Sequence, residues 1–407
     1  MTSIGIVGAG IAGLHLALRL QQFGVHTTVH TDHTGAEIRA SRPRNFPARF
    51  GQTQAREDLL GVHHWRFPDA QTHTWHVTLH GASTLGFRAD LNPPSSVVDF
   101  RLYLPQLMAD YADRGGHIVF GTASIDRLAR DHDLVVVANG SPSMKRLFPR
   151  DADRSPYSAP PRILCTGLYR GIGEATPHSM DIHFLPGVGE ILRLPFFSLD
   201  GRVDVLAVEA VPGGPLEPLC HMDATADPAA FHRAVLELLA THAPSLRERV
   251  DLREFALTAP GGLAQGGITP VVRHNWADLG EGTFALAIGD AWIVNDPLSA
   301  QGTGLASLTA FTLADAIAST LPPYDEMFCR AMSKQLWDGV SDAVNWSNAF
   351  LAPPPPHVLR LLAEAAGDKR VADAFVNNFN DPAAMWRAVS SPWGAESFLT
   401  ETAGKGP

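Results

Sequence analysis

Three glycines, Gly8, Gly10 and Gly13, are the first residues whose type and spacing fit a chemical task. Ser3-Ile4-Gly5-Ile6-Val7 ahead of them reads as a buried strand, Leu14 to Leu20 as a helix, and Val25 to His30 as the next strand. G-x-G-x-x-G at the first turn of such a βαβ unit is a cradle for a dinucleotide pyrophosphate. Gly8 permits the tight turn, Gly10 lets the pyrophosphate approach the backbone, and Gly13 lets the helix pack closely after Ala12. The helix N-terminus then offers free N–H groups and a positive dipole end to the phosphates. An acid is expected at the end of the second strand, on the adenosine ribose. By register that position is Thr31, with Asp32 next, and either the Thr31 hydroxyl or the Asp32 carboxylate is placed to reach it.

A second ligand-type element lies far downstream. Phe284 to Ile288 reads as a buried strand ending in Gly289-Asp290, followed by Asp296-Pro297, then Gln301-Gly302, then a helix predicted from Gly304 to Thr320. This order resembles the flavin half of the aromatic-hydroxylase superfamily. The resemblance places Asp290 on the ribityl chain and Gly289 at its turn. The helix start at Gly302 would face the flavin pyrimidine edge, where a dipole end and free N–H groups stabilise the negative charge of the reduced ring. No second G-x-G-x-x-G follows any other strand, so a dedicated NAD domain is not expected. Electrons then come from a transiently bound nicotinamide or from another protein.

Composition narrows the class. The chain has 407 residues, 45% hydrophobic and 18% charged, with a formal net charge of −10. That balance argues against nucleic acid, which needs a basic footprint. Cys165, Cys220 and Cys329 lie far apart in sequence, form no C-x-x-C, and read as reduced thiols of a cytoplasmic protein. The apolar N-terminus lacks a basic leader segment, and no uninterrupted span reaches transmembrane length, so neither a signal peptide nor a membrane association is expected. His63, His64, His73, His76 and His80 invite a metal reading. On a strand His76 and His80 share one face and His73 takes the other, with no further ligand at metal spacing, so no metal is expected.

The elements that must position these residues divide as follows. Residues 1–70 form the first part of a dinucleotide-binding domain and 71–97 contribute strands to a second domain. Residues 98–158 return to the first, 159–265 form the bulk of the second, 266–322 complete the first, and 323–407 form a helical C-terminal region. Thr72 to His80 and Thr84 to Ala89 alternate as paired strands, with Asn92 to Ser96 as a loop. Between Pro160 and Val211 short strands are separated by Gly and Pro, an antiparallel-sheet composition. Pro228 to His242 is an amphipathic helix. The expected fold is α/β, a Rossmann-type FAD-binding domain with an antiparallel substrate sheet and a helical C-terminus.

At this level of detail the chain resembles the epoxidase component of two-component styrene and indole monooxygenases, nearly end to end. The matching residues are Ile4 to Gly10 with Ala12 to Leu16, Val98-Asp99 with Arg101-Leu102-Tyr103, Gln265-Gly266-Gly267, Gly289-Asp290, Asp296-Pro297 and Gln301-Gly302. The least generic are Asn378-Phe379-Asn380, Trp386 and Ser390-Ser391-Pro392. The resemblance implies that a separate NADH-dependent flavin reductase supplies reduced FAD as a cosubstrate. Oxygen then forms a C4a-hydroperoxyflavin, which passes one oxygen atom to a small aromatic alkene, indole or sulfide. It also implies that Arg101 contacts the FAD phosphates and that Pro297, Gln301 and Gly302 line the flavin ring. Asn45, Pro297 and Gln301 would stand at the reacting centre. A homodimer is the one oligomer the resemblance leaves open.

The chain departs from this family at two places. The usual Gly-Gln-Gly-x-Asn is Ala300-Gln301-Gly302-Thr303-Gly304 here. The positions that separate styrene from indole enzymes fall on Asn45, Pro47, Arg49, Thr72, Trp75 and Ser95. Asn45 and Ser95 match the styrene type and the other four match neither. Arg49 would favour an anionic substrate if it faced the pocket; otherwise it faces solvent or the FAD phosphates. Two rival functions are a single-component NAD(P)H-dependent aromatic hydroxylase and a non-catalytic flavin-binding redox sensor.

Overall fold

The computed structural model describes residues 2–81, 83–259 and 261–404; the last three residues of the expected helical region, 405–407, lie outside it. Two sheets divide the work. The first has six strands in the order Trp276–Gly280, Thr283–Ala287, Leu134–Val137, Ser3–Val7, His26–Thr31 and His117–Phe120. All neighbours are parallel except the hairpin of the first two. Ile4, Ile6 and Leu134 to Val137 are fully buried, the uniform burial of strands covered on both faces. Helices Ile11–Gln22, Phe100–Asp113 and Gly302–Ser319 supply much of that cover.

The second sheet runs Ala256–Leu257, Ile163–Arg170, Gly201–Ala210, Gly189–Ser198, Ser179–Leu185, Gln71–Leu79 and Leu85–Ser96. It is not wholly antiparallel as expected: Gln71–Leu79 and Ser179–Leu185 run parallel. These two strands are joined by about a hundred residues of intervening fold rather than a hairpin, so no tight turn dictates their direction. Leu263–Gly267 also pairs with Ile163–Arg170, so the second sheet extends past the expected boundary at 265. The predicted loop at Asn92 to Ser96 lies within a strand. Thr72 pairs Ser95 while Thr74 pairs Asp90, so the intervening residues bulge out of the ladder.

One face of this sheet is sealed by helix Pro228–His242 through Phe231, Val235 and Leu239. The other faces a cluster built with the C-terminal helices, including Trp346 on Glu326–Ala349 and Phe375 on Lys369–Asn377. The tail motif has a mechanical role. Asn380 Oδ1 accepts the Gly51 N–H at 2.7 Å, and Asn377 Oδ1 accepts the Asn92 N–H at 2.8 Å. The tail therefore clamps both the bulged strand and the start of helix Gly51–Leu60.

Candidate flavin and substrate site

The glycine fingerprint is a cradle in three dimensions. Gly8 has φ +115°, and a Cβ on Gly13 would sit 2.0 Å from the Gly8 carbonyl oxygen. These two close the turn. A Cβ on Gly10 would meet nothing within 4 Å, so the surface above it is open. A Cβ on Gly289 would lie 2.8 Å from Ala12 Cβ, so the downstream Gly-Asp element packs against the first turn of the fingerprint helix. Gly302, at the start of its helix, is open like Gly10. Neither helix has a side-chain cap at Gly10 or Gln301, whereas Thr34, Asp99, Asp227 and Asp325 cap theirs. Two uncapped N-termini with open approaches are suited to a ligand carrying negative charge. The residues fit FAD.

A 190 Å³ pocket lined by Arg42, Arg44, Asn45, Asp99 and Arg101 flanks the predicted phosphate-binding residues. Arg101 is not loose in it. Its guanidinium forks onto Asp99, 2.6 Å from Oδ2, while Asp99 caps the helix by accepting the Arg101 N–H. Strand His26–Thr31 ends on Thr31 as the register predicts. The Thr31 hydroxyl lies near the His33 backbone, and Asp32 is exposed. Asp290 is also exposed.

Next to this lies a cavity of 300 Å³. Trp75, Ile182, Leu194, Val205, Ala207 and Phe379 form much of its wall, and Asn45, Ser95, Pro297 and Ala300 also line it. Pleat alternation explains the wall: Val205 and Ala207 face the cavity while Leu206 and Val208 join the core under helix Pro228–His242. A second apolar cavity of 250 Å³ shares Trp75, Ile182, Phe184, Phe350 and Phe379 with the first. Trp75 and Phe379 meet edge to face at 4.5 Å in that partition. Gln301 is buried and does not line the larger cavity. Its amide donates to the Ser299 and Phe379 carbonyls at 3.1 and 3.4 Å, tying the loop to the tail. Ala300 holds φ +53°, a left-handed conformation in which a Cβ is strained. Gly304 lines a separate 140 Å³ pocket with Arg56 and Gln301, where the missing amide leaves room.

Three residues expected at the substrate, Pro47, Arg49 and Thr72, do not line the 300 Å³ cavity. Residues 46–50 reach the sheet edge at Arg49, which exchanges backbone hydrogen bonds of 2.8 Å with Ser96. Extended backbone alternates, so Phe46, Ala48 and Phe50 line the cavity while Pro47 and Arg49 do not. Arg49 faces neither substrate, solvent nor phosphate. It is fully buried, and its Nε lies 2.6 Å from Glu57 Oε1. Thr72 is fully buried beyond the bulge and does not line the cavity either.

The Arg49–Glu57 pair ends a buried polar chain. Tyr103 donates to Glu57 Oε1 at 2.8 Å, and His15 Nε2 lies 2.9 Å from the Tyr103 oxygen. His15 Nδ1 lies 3.0 Å from Ser307 Oγ. With the Tyr103 proton given to Glu57, the Tyr103 oxygen accepts from His15 Nε2–H and His15 Nδ1 accepts from Ser307. This is the neutral tautomer. Burial first, then the nearby Arg49 and Arg56 charges, lowers the His15 pKa from 6.5 to about 3. A lowered histidine contributes stability that is present above pH 6.5 and lost as pH falls towards 3. Between pH 6.5 and 4 the loss is about 3 kcal/mol at about 1.4 kcal/mol per unit. Urea midpoints across this range should fall more steeply for the native chain than for His15→Gln; parallel slopes would remove His15 as the cause.

The histidines set aside at the sequence level are engaged elsewhere. His80 and His183 stack with ring nitrogens 3.1 Å apart, and His76 reaches Thr176. Among the described residues no three His, Cys, Asp or Glu side chains group as a metal site.

Comparison with known proteins settles the lineage. Curated "Styrene monooxygenase StyA" proteins from Pseudomonas fluorescens and Pseudomonas sp are each 36% identical over 396 residues, 96% of this chain and 95% of theirs. The chain belongs to the styrene monooxygenase family. It is an FAD-dependent monooxygenase of that type, an oxidoreductase using FAD and O2. Residues 140–249 also match the family described as "Styrene monooxygenase A putative substrate binding domain". That span includes the strands carrying Met180, Leu192, Leu194 and Val205 into the cavity. The fold is shared more widely. A triple mutant of the flavin-dependent brominase Bmp2 matches with a TM-score of 0.67 over 99% of both chains, at 14% identity. 2-Methyl-3-hydroxypyridine-5-carboxylic acid oxygenase matches with 0.58 over 95% of this chain and 96% of its own, at 16% identity.

Two charged residues that line the cavity escaped the sequence reading. Arg44 borders both the 190 Å³ pocket and the cavity. Glu209 stands on the cavity wall, on the same strand face as Val205 and Ala207. An acid at a position whose alternation demands an apolar side chain was the available signal for Glu209.

Proposed function

We propose that this monooxygenase oxygenates a small apolar aromatic alkene, indole or sulfide, using reduced FAD delivered by a separate NADH-dependent reductase. The supporting observation is the 300 Å³ apolar cavity that includes Pro297 and Ala300, at the loop leading into the open start of helix Gly302–Ser319. That volume suits a compact aromatic molecule. In this reading residues 1–70, 98–158 and 268–322 form the flavin domain. The second sheet holds the substrate, and residues 323–407 close the site. Gly8, Gly10, Ala12, Gly13 and Arg101 would hold the pyrophosphate; Thr31 or Asp32 would hold the adenosine ribose, and Asp290 the ribityl chain.

Bound FAD supplies the activated oxygen. The protein's contribution is to orient the substrate, exclude water and stabilise charge near the ring. Gly302 and the following N–H groups would face that charge. Asn45 and Pro297 would meet the substrate edge nearest it. Gln301 would act by holding the loop against Phe379. The three free, buried cysteines suit a reducing, cytoplasmic compartment. Among the described residues no helix is long and apolar enough to cross a membrane.

The test is direct. Purified chain given chemically reduced FAD, oxygen and styrene should form styrene oxide, and should consume NADH only when a flavin reductase is added. Peroxide without organic product would overturn the reading. NADH oxidation by the chain alone would favour the single-component hydroxylase.

A further inference from the structure

Four charged side chains cluster near the wall that the two cavities share, and their pairing is uneven. Arg162 and Glu190 line the outer cavity and form a two-pronged ion pair, with contacts of 2.7 and 2.9 Å. That pair engages Arg162, the cation that acts on both remaining acids. Glu209 and Asp296 remain, only 4% and 2% exposed. Asp296 Oδ1 accepts the Leu298 N–H at 3.1 Å. Glu209 Oε2 and Asp296 Oδ2 are sealed, and no donor elsewhere among the described residues reaches them. The two carboxyl groups are each other's remaining partner.

Two adjoining buried carboxylates without a cation of their own cannot both ionise, so the pair keeps a proton. Burial raises both, Asp296 to about 6 and Glu209 well above the usual carboxylate range, each first by desolvation. The shared proton bonds one carboxyl group to the other. Whichever of the two carries it, Glu209 keeps an oxygen free to act as a hydrogen-bond acceptor. On the cavity face, Val205 and Ala207 of the same strand and Leu192 and Leu194 of the next offer no side-chain acceptor; Glu190, directly opposite Glu209, is held by Arg162.

We propose that Glu209 is a specificity-determining residue that binds aromatic substrates through a ring N–H or O–H donor, with Asp296 sharing its proton. The inference rests on the reading of the 300 Å³ cavity as the substrate site. It gives this enzyme a preference for donor-bearing aromatics over hydrocarbons of the same shape. A purely apolar cavity would not discriminate in this way.

The experiment uses the intact chain at neutral pH and compares indole with benzofuran, its near-isostere without the N–H, by calorimetric titration, with styrene as a third ligand. One satisfied hydrogen bond predicts about tenfold tighter binding of indole. Glu209→Gln keeps a carbonyl acceptor and should keep the preference. Glu209→Leu should abolish it and leave benzofuran and styrene binding as tight or tighter. Infrared difference spectra supply a readout independent of ligand: a protonated-acid carbonyl band in the native chain, missing in Glu209→Gln. Equal binding of indole and benzofuran by the native chain, or a preference surviving in Glu209→Leu, would overturn the proposal while the cavity stands. Absence of the acid band would overturn it even if Glu209→Leu fails to fold. If none of the three ligands binds, the cavity reading falls and the proposal with it.

Discussion

Gly10→Glu should leave the chain folded and weaken FAD binding about a thousandfold. The two halves of this expectation come from different observations. A Cβ at Gly10 meets nothing within 4 Å, so the native packing has room for a side chain. On the proposed reading, that same open space is where the pyrophosphate would approach the helix N-terminus. A carboxylate there blocks the approach and repels the phosphates. At about 4 Å and an effective dielectric of about 20, one such charge pair is worth about 4 kcal/mol. Gly13→Ala is the contrast. Its Cβ would fall 2.0 Å from a backbone oxygen, so that variant should lose stability as well as cofactor. Flavin titration alongside thermal melting separates the two. FAD affinity within tenfold of native for Gly10→Glu would mean that the fingerprint does not hold the pyrophosphate.

The second large effect lies away from the cofactor. Arg49→Met should destabilise the fold by about 3–5 kcal/mol, because it leaves the buried Glu57 carboxyl without its cation. Glu57 would keep only the Tyr103 hydroxyl and the edge of His63, whose Nε2 lies 3.9 Å away. Glu57→Gln should be nearly as damaging, since it strands Arg49 under Tyr103, with the guanidinium 4.2 Å from the ring centre. Replacing both together, Arg49→Met with Glu57→Gln, should recover much of the loss, because the desolvation penalty of both charges disappears with their attraction. Urea unfolding of the three variants measures this. A single-variant loss under about 1 kcal/mol would mean the pair is solvated. Substrate choice should not follow Arg49. Its charge is neutralised away from the cavity, so neutral alkenes should outcompete anionic ones.

These expectations show where sequence reasoning held and where it stopped. The βαβ unit at Ser3 to Thr31 was readable because every signal is local: an apolar strand, glycines with steric duties, then a largely apolar helix. The strand at Phe284 and the helix near Gly302 were readable for the same reason. The antiparallel strands between Ile163 and Ala210 came through their Gly and Pro punctuation. The hairpin strand Trp276–Gly280 was not foreseen, because its Trp-Ala-Asp-Leu-Gly sequence carries little strand pattern and depends on its partner Thr283–Ala287. Asn92 to Ser96 looks like a loop locally, and only pairing with Gln71–Leu79 and clamping by Asn377 and Asn380 draw it into a sheet.

The site divides along the same line. By itself the sequence determined the backbone turns at Gly8 to Gly13 and Gly289 to Gly302, since a tight turn and a close helix–strand approach need glycine at fixed spacing. It also pointed to the styrene monooxygenase lineage through motifs spread along the chain. Only the tertiary structure decided which side chains face the cavity. The pairing of Arg49 with Ser96 turned its side chain inward to Glu57, and the strand Gly201–Ala210 turned Glu209 towards the cavity beside Asp296. A side chain's direction depends on strand register, and its surroundings on what the fold packs over it. Ser96 pairs with Arg49 from 47 positions away, and Tyr103 and Asp296 come from other parts of the chain, so no local pattern encodes these neighbours.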